Sequence, residues 1–108
     1  MLILNVTPHT VTLFRKKKKP LVFPRAGAPV RVSSRIERVG HLNGIPLTKL
    51  VYDKPEGLPE EQDNVFYIVS TVVKAALPDR RDLLVPAEMV RDSDGKKIGC
   101  QSFDRERR

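Results

Sequence analysis

One cysteine, two histidines and no tryptophan leave this chain of 108 residues little catalytic or metal-binding material. With Cys100 alone, no disulfide can form within the chain, and every cysteine-based metal cluster is excluded. His9 and His41 are not at metal-ligand spacing and no His-Glu-x-x-His run occurs, so neither a metal nor a cofactor is expected. A Gly-rich phosphate loop and a nucleophile elbow are also missing. Only a triad assembled from distant residues would remain for catalysis. No apolar run approaches the ~18 residues that a membrane span requires, and "MLILNV" lacks the basic start of a secretory signal. The expectation is a soluble, cytoplasmic protein with no membrane contact.

What the chain does have is positive charge. Its formal charge is +7 at pH 7, and the excess is clustered. Arg15, Lys16, Lys17, Lys18 and Lys19 form one run, and Arg-Glu-Arg-Arg closes the chain. Such runs are commonly solvated turns or tails, yet a field of this sign attracts nucleic acid, nucleotides or acidic proteins. The length suggests one domain over residues 1–108. Within it, 15–20 reads as a basic hairpin tip, 53–64 as an acidic surface loop and 104–108 as a basic tail.

Strand patterning dominates the first half. Leu2, Leu4 and Val6 alternate with Ile3 and Asn5, and Val11 and Leu13 alternate with Thr10 and Thr12. Pro8 biases Thr7 towards an extended backbone, so "VTPHT" predicts a hairpin between those runs. "PLVFP", fenced by Pro20 and Pro24, suits an edge strand, with the lysine run at the tip of a second hairpin. Val30 to Val39 reads as one long strand, apolar inside and basic outside. Asn43-Gly44 then predicts a tight turn into an antiparallel return over Ile45 to Tyr52.

Beyond the acidic loop, "VFYIV" is a continuous apolar run, as expected of a strand covered on both faces. "STVVKAAL" predicts a short helix capped by Ser70 or Thr71 and stopped at Pro78. "DLLVP" and "KKIGCQSF" are two more strands, with a turn at "RDSDG". The predicted class is α+β, mostly β: a small twisted antiparallel sheet or open barrel built of hairpins, with one short helix.

Two constellations offer chemistry. Where the strand runs straight into the helix, unpaired backbone N–H groups and the Ser70 and Thr71 hydroxyls would meet an anionic oxygen, with Arg80 and Arg81 beyond the helix adding charge. The plain alternative is N-capping, with both arginines in solvent. Asn5, Thr7 and His9 would stand at a pocket mouth and hydrogen-bond a ligand. Their plain alternative is an Asn5 that satisfies a backbone group beside an exposed turn histidine. Arg31 and Arg35, on one strand face, would combine with Lys16, Lys17, Lys18 and Lys19 as a phosphate track.

The phrases "LNVTPHTVTL", "GLPE", "YIVS", "DLLVP" and "VRDSDGKKIGC", in that order, resemble a family of small uncharacterised proteins of bacteriophages, prophages and bacterial genomes. Its members open with a Leu-Asn-Leu-Thr-Pro-His phrase and close with an Arg-Asp-x-x-Gly turn. Val6 replaces the commoner Leu, and the Lys16–Lys19 run is peculiar to this chain. The resemblance implies a phage-type accessory protein, in the host cytoplasm if phage-encoded, without an assigned activity.

Three functions follow as expectations. The first is a non-enzymatic, homo-oligomeric binder of an anionic, nucleotide-like small molecule, sequestering a signal of host defence. The second is a nucleic-acid-binding protein that uses its basic sheet face. The third is a structural or host-inhibiting interaction protein, with "PLVFP" and the acidic loop as contact surfaces.

Overall fold

The computed structural model describes residues 1–105. The end of the expected basic tail, 106–108, lies outside them, and Asp104 is the last residue of the final strand. The strands are β1 (Leu2–Asn5), β2 (Val11–Leu13), β3 (Leu21–Phe23), β4 (Ser34–Leu42), β5 (Ile45–Tyr52), β6 (Val65–Ile68), β7 (Leu83–Arg91) and β8 (Lys97–Asp104). One helix, α1 (Thr71–Ala76), lies between β6 and β7. The fold is mostly β with one short helix, as the patterning predicts. Among the described residues no helix is long and apolar enough to cross a membrane.

Six strands form one sheet in the order β1-β6-β7-β8-β2-β3, and β4 and β5 form a separate two-stranded ribbon. The large sheet is mixed: β1 with β6, β6 with β7 and β2 with β8 are parallel, while β7 with β8 and β2 with β3 are antiparallel. "PLVFP" takes the expected edge, and the lysine run caps the β2–β3 hairpin. An isolated bridge from Asn5 to Arg25 brings β1 towards the segment after β3, so the sheet curls nearly shut.

Three local expectations change. Thr7-Pro8-His9 does not join a hairpin, because β1 takes β6 as its partner, with Leu2 opposite Val65 and Asn5 opposite Ile68. The cause is local. The Asn5 carboxamide accepts the Thr7 N–H at 3.0 Å, an Asx turn that swings the chain aside instead of doubling it back. Val30 and Val32 lie before β4 and pack against the core, so the long strand begins only at Ser34. Its apolar side does not face inwards: Ile36 is 71% exposed. The third change is length, for "DLLVP" begins a strand that runs on to Arg91.

Alternation explains the core. Leu4 and Val6 of the first strand segment, Tyr67 and Val69, and Leu83 and Val85 gather beneath Val73 of α1 and beside Val30, Val32 and Leu58. Ile68, between Tyr67 and Val69, is fully buried as well, so the run is covered on both faces as expected. Inside the curl, the Phe23 ring meets Phe103 edge-on, with centroids 5.8 Å apart. Packing of Val73 into this core stabilises α1, which at six residues is too short to persist by propensity.

The β4–β5 ribbon is different. Asn43 and Gly44 both have positive φ, 49° and 80°, as a tight hairpin turn of the type I′ kind requires. Val39 is an extra residue between Arg38 and Gly40, and the register shifts there. The ribbon is exposed along nearly its whole length. The Cα radius of gyration is 16.8 Å, against the ~13 Å of a compact domain this long.

Candidate functional site

Strand direction sorts the expected site residues into two groups. The strands β1, β6 and β7 run one way, and their far end carries Thr7-Pro8-His9 and the Ser70-Thr71 step. Arg80 and Arg81 precede β7 and lie at the opposite end. The structure therefore brings Asn5, Thr7, His9, Ser70 and Thr71 to one end of the sheet and parts them from the two arginines.

Asn5 is 1% exposed, and its four hydrogen-bonding positions are all occupied by the chain itself. Its Nδ2 donates to the His9 carbonyl at 2.7 Å and to the Phe23 carbonyl at 2.8 Å. Its Oδ1 accepts from the Thr7 N–H at 3.0 Å and the Thr7 hydroxyl at 2.6 Å. The Asn5 carbonyl also accepts from the Ala26 N–H at 2.8 Å. Together these bonds tie β1 to the chain leaving β3. His9 contributes its carbonyl, and its side chain is exposed.

Ser70 is the N-cap of α1: its backbone is extended and its Oγ accepts from the Val73 N–H at 3.3 Å. Thr71 follows, and it lines a cleft of about 630 Å3 between α1 and β5. Lys49, Leu50, Val51 and Tyr52 form one wall, and Val72, Lys74, Ala75 and Ala76 form the other with Thr71. Sequence reasoning did not find this cleft, because nothing local in "KLVY" or "VVKAA" marks the two segments as neighbours.

Arg80 anchors the opposite end. Its Nε and Nη2 reach both oxygens of Asp82, at 2.9 and 2.5 Å, and Nη2 also donates to the Pro59 carbonyl at 2.9 Å. Glu61 stands 3.7 Å from Nε. The bond to Asp82 raises the guanidinium further above its already high range, against the opposing effect of burial. Lys74, itself buried, donates from Nζ to the Arg80 carbonyl at 2.8 Å. These groups hold the Pro59–Glu61 loop, the end of α1 and the start of β7 together.

The expected phosphate track is divided too. Arg35 lies on the ribbon, paired to Asp53 at 2.6 Å and Glu37 at 3.3 Å. Arg31 bridges through its backbone to Glu56. Lys16 to Lys19 sit in an exposed turn at the end of β2, whereas Val30, next to Arg31, bonds to Val6 at the opposite end of the sheet. Cys100 is buried beneath the Thr12 carbonyl, 3.7 Å from its Sγ, and burial pushes its thiol up. Among the described residues no set of three or more His, Cys, Asp and Glu side chains converges as a metal site.

No family model, no curated protein and no solved structure matches the chain.

Proposed function

We propose that the protein is a non-enzymatic, homo-oligomeric interaction protein whose copies associate through the β4–β5 arm. One observation carries this reading. Ile36, Val39, Leu42, Ile45, Leu47, Leu50 and Tyr52, all on one two-stranded ribbon, are exposed large hydrophobic side chains. Isolated apolar residues on a surface need no explanation, but seven large ones exposed together on a single two-stranded arm mark a contact surface.

The ribbon also calls for a partner on structural grounds. Two strands alone are marginal in water, whereas three or more with an apolar face are independently stable. Both outer edges of the arm are open, since β4 and β5 pair only with each other. Two arms joined edge to edge would make a four-stranded sheet. Leu42 and Ile45 are direct cross-strand partners, and Leu47 shares their face, so that face would become continuous across the junction.

Charge favours a second copy as the partner. Each molecule carries +7, yet residues 39–48 contain no Lys, Arg, Asp or Glu. The arm tip is thus the place where two like-charged copies meet without repulsion. A closed two-fold pairing would repeat the same contacts on both sides. The phage and prophage setting belongs to this proposal and rests on the resemblance of the opening and closing phrases.

The test is molar mass in solution by light scattering, for the wild type and for Leu42→Ser/Ile45→Ser/Leu47→Ser. The expected result is a wild-type oligomer that the triple change converts to a folded monomer. A monomeric wild type, or an oligomer that survives the change, contradicts the proposal.

A second reading is favoured by the cleft. Its volume of about 630 Å3 is within the range of small-molecule sites. Tyr52 and the apolar walls suit a ring, and the Thr71 hydroxyl and the Lys49 ammonium suit its polar substituents. On this reading the nucleotide-like ligand lies beside the arm, without Arg80 or Arg81. Binding of a fluorescent nucleotide, lost in Thr71→Val and Tyr52→Ala, tests it.

A further inference from the structure

Strand direction assembles a cationic surface that the linear sequence does not show. The strand β8 runs against β7 and parallel to β2, so the ends of β2 and β8 and the start of β7 share one end of the sheet. That end carries the Lys16–Lys19 turn after β2, Arg105 after β8 and Arg81 before β7. Their order along the sheet edge is continuous, because β7, β8 and β2 are consecutive neighbours. All six residues are exposed.

Several contacts show that this surface is shaped and not merely a loose tail. Arg15 donates from its guanidinium to the Lys19 carbonyl at 2.7 Å, which closes the turn and leaves the four lysine side chains outside it. Lys17 sits at φ 58°, in the left-handed region that tightens the turn. Arg105 is held by its Nε on the Arg81 carbonyl at 2.8 Å, and its guanidinium lies 5.4 Å from the centre of the Phe66 ring. Of the nearby carboxylates, Asp82 and Glu61 close on Arg80. Among the described residues, neither Asp63 nor Asp104 pairs with any of the six cations.

We infer that this end of the sheet binds the phosphate backbone of double-stranded nucleic acid, independently of the arm. Exposed lysines on a turn suit a run of phosphates better than a small ligand, which needs a concave site. Single strands are disfavoured because the described residues at this end offer no free stacking platform. Phe14 lies against Gly99, Phe66 lies beneath Arg105, Phe103 packs on Phe23, and Tyr67 is buried. Contacts to backbone alone make the binding sequence-independent.

The experiment is fluorescence anisotropy with a labelled 20-base-pair DNA duplex of arbitrary sequence, titrated at several salt concentrations. Six phosphate contacts give a slope of log K against log salt of about −5. Replacing Lys16, Lys17, Lys18 and Lys19 together with Ser, in an exposed turn, should reduce the slope to about −2. Lys96→Ser/Lys97→Ser, at the other end of the sheet, should leave it unchanged. Failure to bind at low salt, or a slope indifferent to the four lysines, overturns the inference. So does equal binding of poly-glutamate, which would assign the surface to acidic proteins instead.

Discussion

The Asn5 side chain donates to the carbonyl of Phe23 at 2.8 Å, joining two strands, β1 and β3, that no ladder of hydrogen bonds connects. The same carboxamide holds the Thr7-Pro8-His9 turn. One buried amide thus both redirects the chain and closes the curl of the sheet.

Asn5→Ala should therefore destabilise the fold by roughly 3 kcal/mol, since stranded buried partners cost about 1–3 kcal/mol each. Asn5→Asp should be comparably harmful, because it removes both Nδ2 donors. His9→Ala should change stability by no more than about 0.5 kcal/mol, as expected of an exposed side chain. Urea denaturation followed by circular dichroism measures all three. A near-neutral Asn5→Ala would show that the clasp contributes little.

Gly99 owes its place to crowding. A Cβ built there would come 2.6 Å from the Thr12 carbonyl oxygen and 2.5 Å from Cε2 of the Phe14 ring. The ring can swing, but the carbonyl belongs to β2, which is next to β8 in the sheet. Gly99→Ala should cost about 1–3 kcal/mol, within the range for overpacking, and loosen β2 and β3 first. Thermal melting gives the cost, and amide exchange at Val11–Leu13 gives the location. Unchanged exchange there would contradict the assignment.

Arg80 and Asp82 form a shielded pair, with side chains 18% and 6% exposed. Removing one partner strands the other, so Asp82→Ala should cost roughly 3 kcal/mol. Restoring an apolar match in Arg80→Met/Asp82→Leu should recover a measurable part of that loss. Urea midpoints for the single and double variants decide. A double variant as unstable as the sum of its parts would mean that the pair is not coupled.

Much of the architecture was legible because single residues enforce it. Asn43-Gly44 dictated the ribbon turn, Ser70 and Pro78 bounded the helix, and the unbroken Val65–Val69 run announced a strand covered on both sides. The parallel pairings were not legible, since the choice of β6 over β2 as the partner of β1 is made by packing between distant segments. The exposure of the ribbon left a trace that is clear afterwards. Apolar residues occupy odd positions at Ile45 and Leu47 but even ones at Leu50 and Tyr52, so neither face of β5 is consistently apolar. The site residues were harder still. Asn5 and Arg80 are polar groups in suggestive places, and only the fold shows that their hydrogen bonds are made within the chain.

Cys100 provides a probe of global opening. Its thiol is buried and its ionisation is pushed up, so the reactive thiolate is scarce at neutral pH. Alkylation by iodoacetamide should be slow in buffer and accelerate by orders of magnitude across the urea transition. Rapid native labelling would mean that β8 opens locally.

Hydrogen exchange of the arm at two protein concentrations tests the proposed association most directly. If copies pair through the open edges of β4 and β5, amides in Ser34–Leu42 and Ile45–Tyr52 become more protected as concentration rises, while those in Val65–Ile68 do not change. Exchange in the arm that is fast and independent of concentration would contradict arm-mediated association.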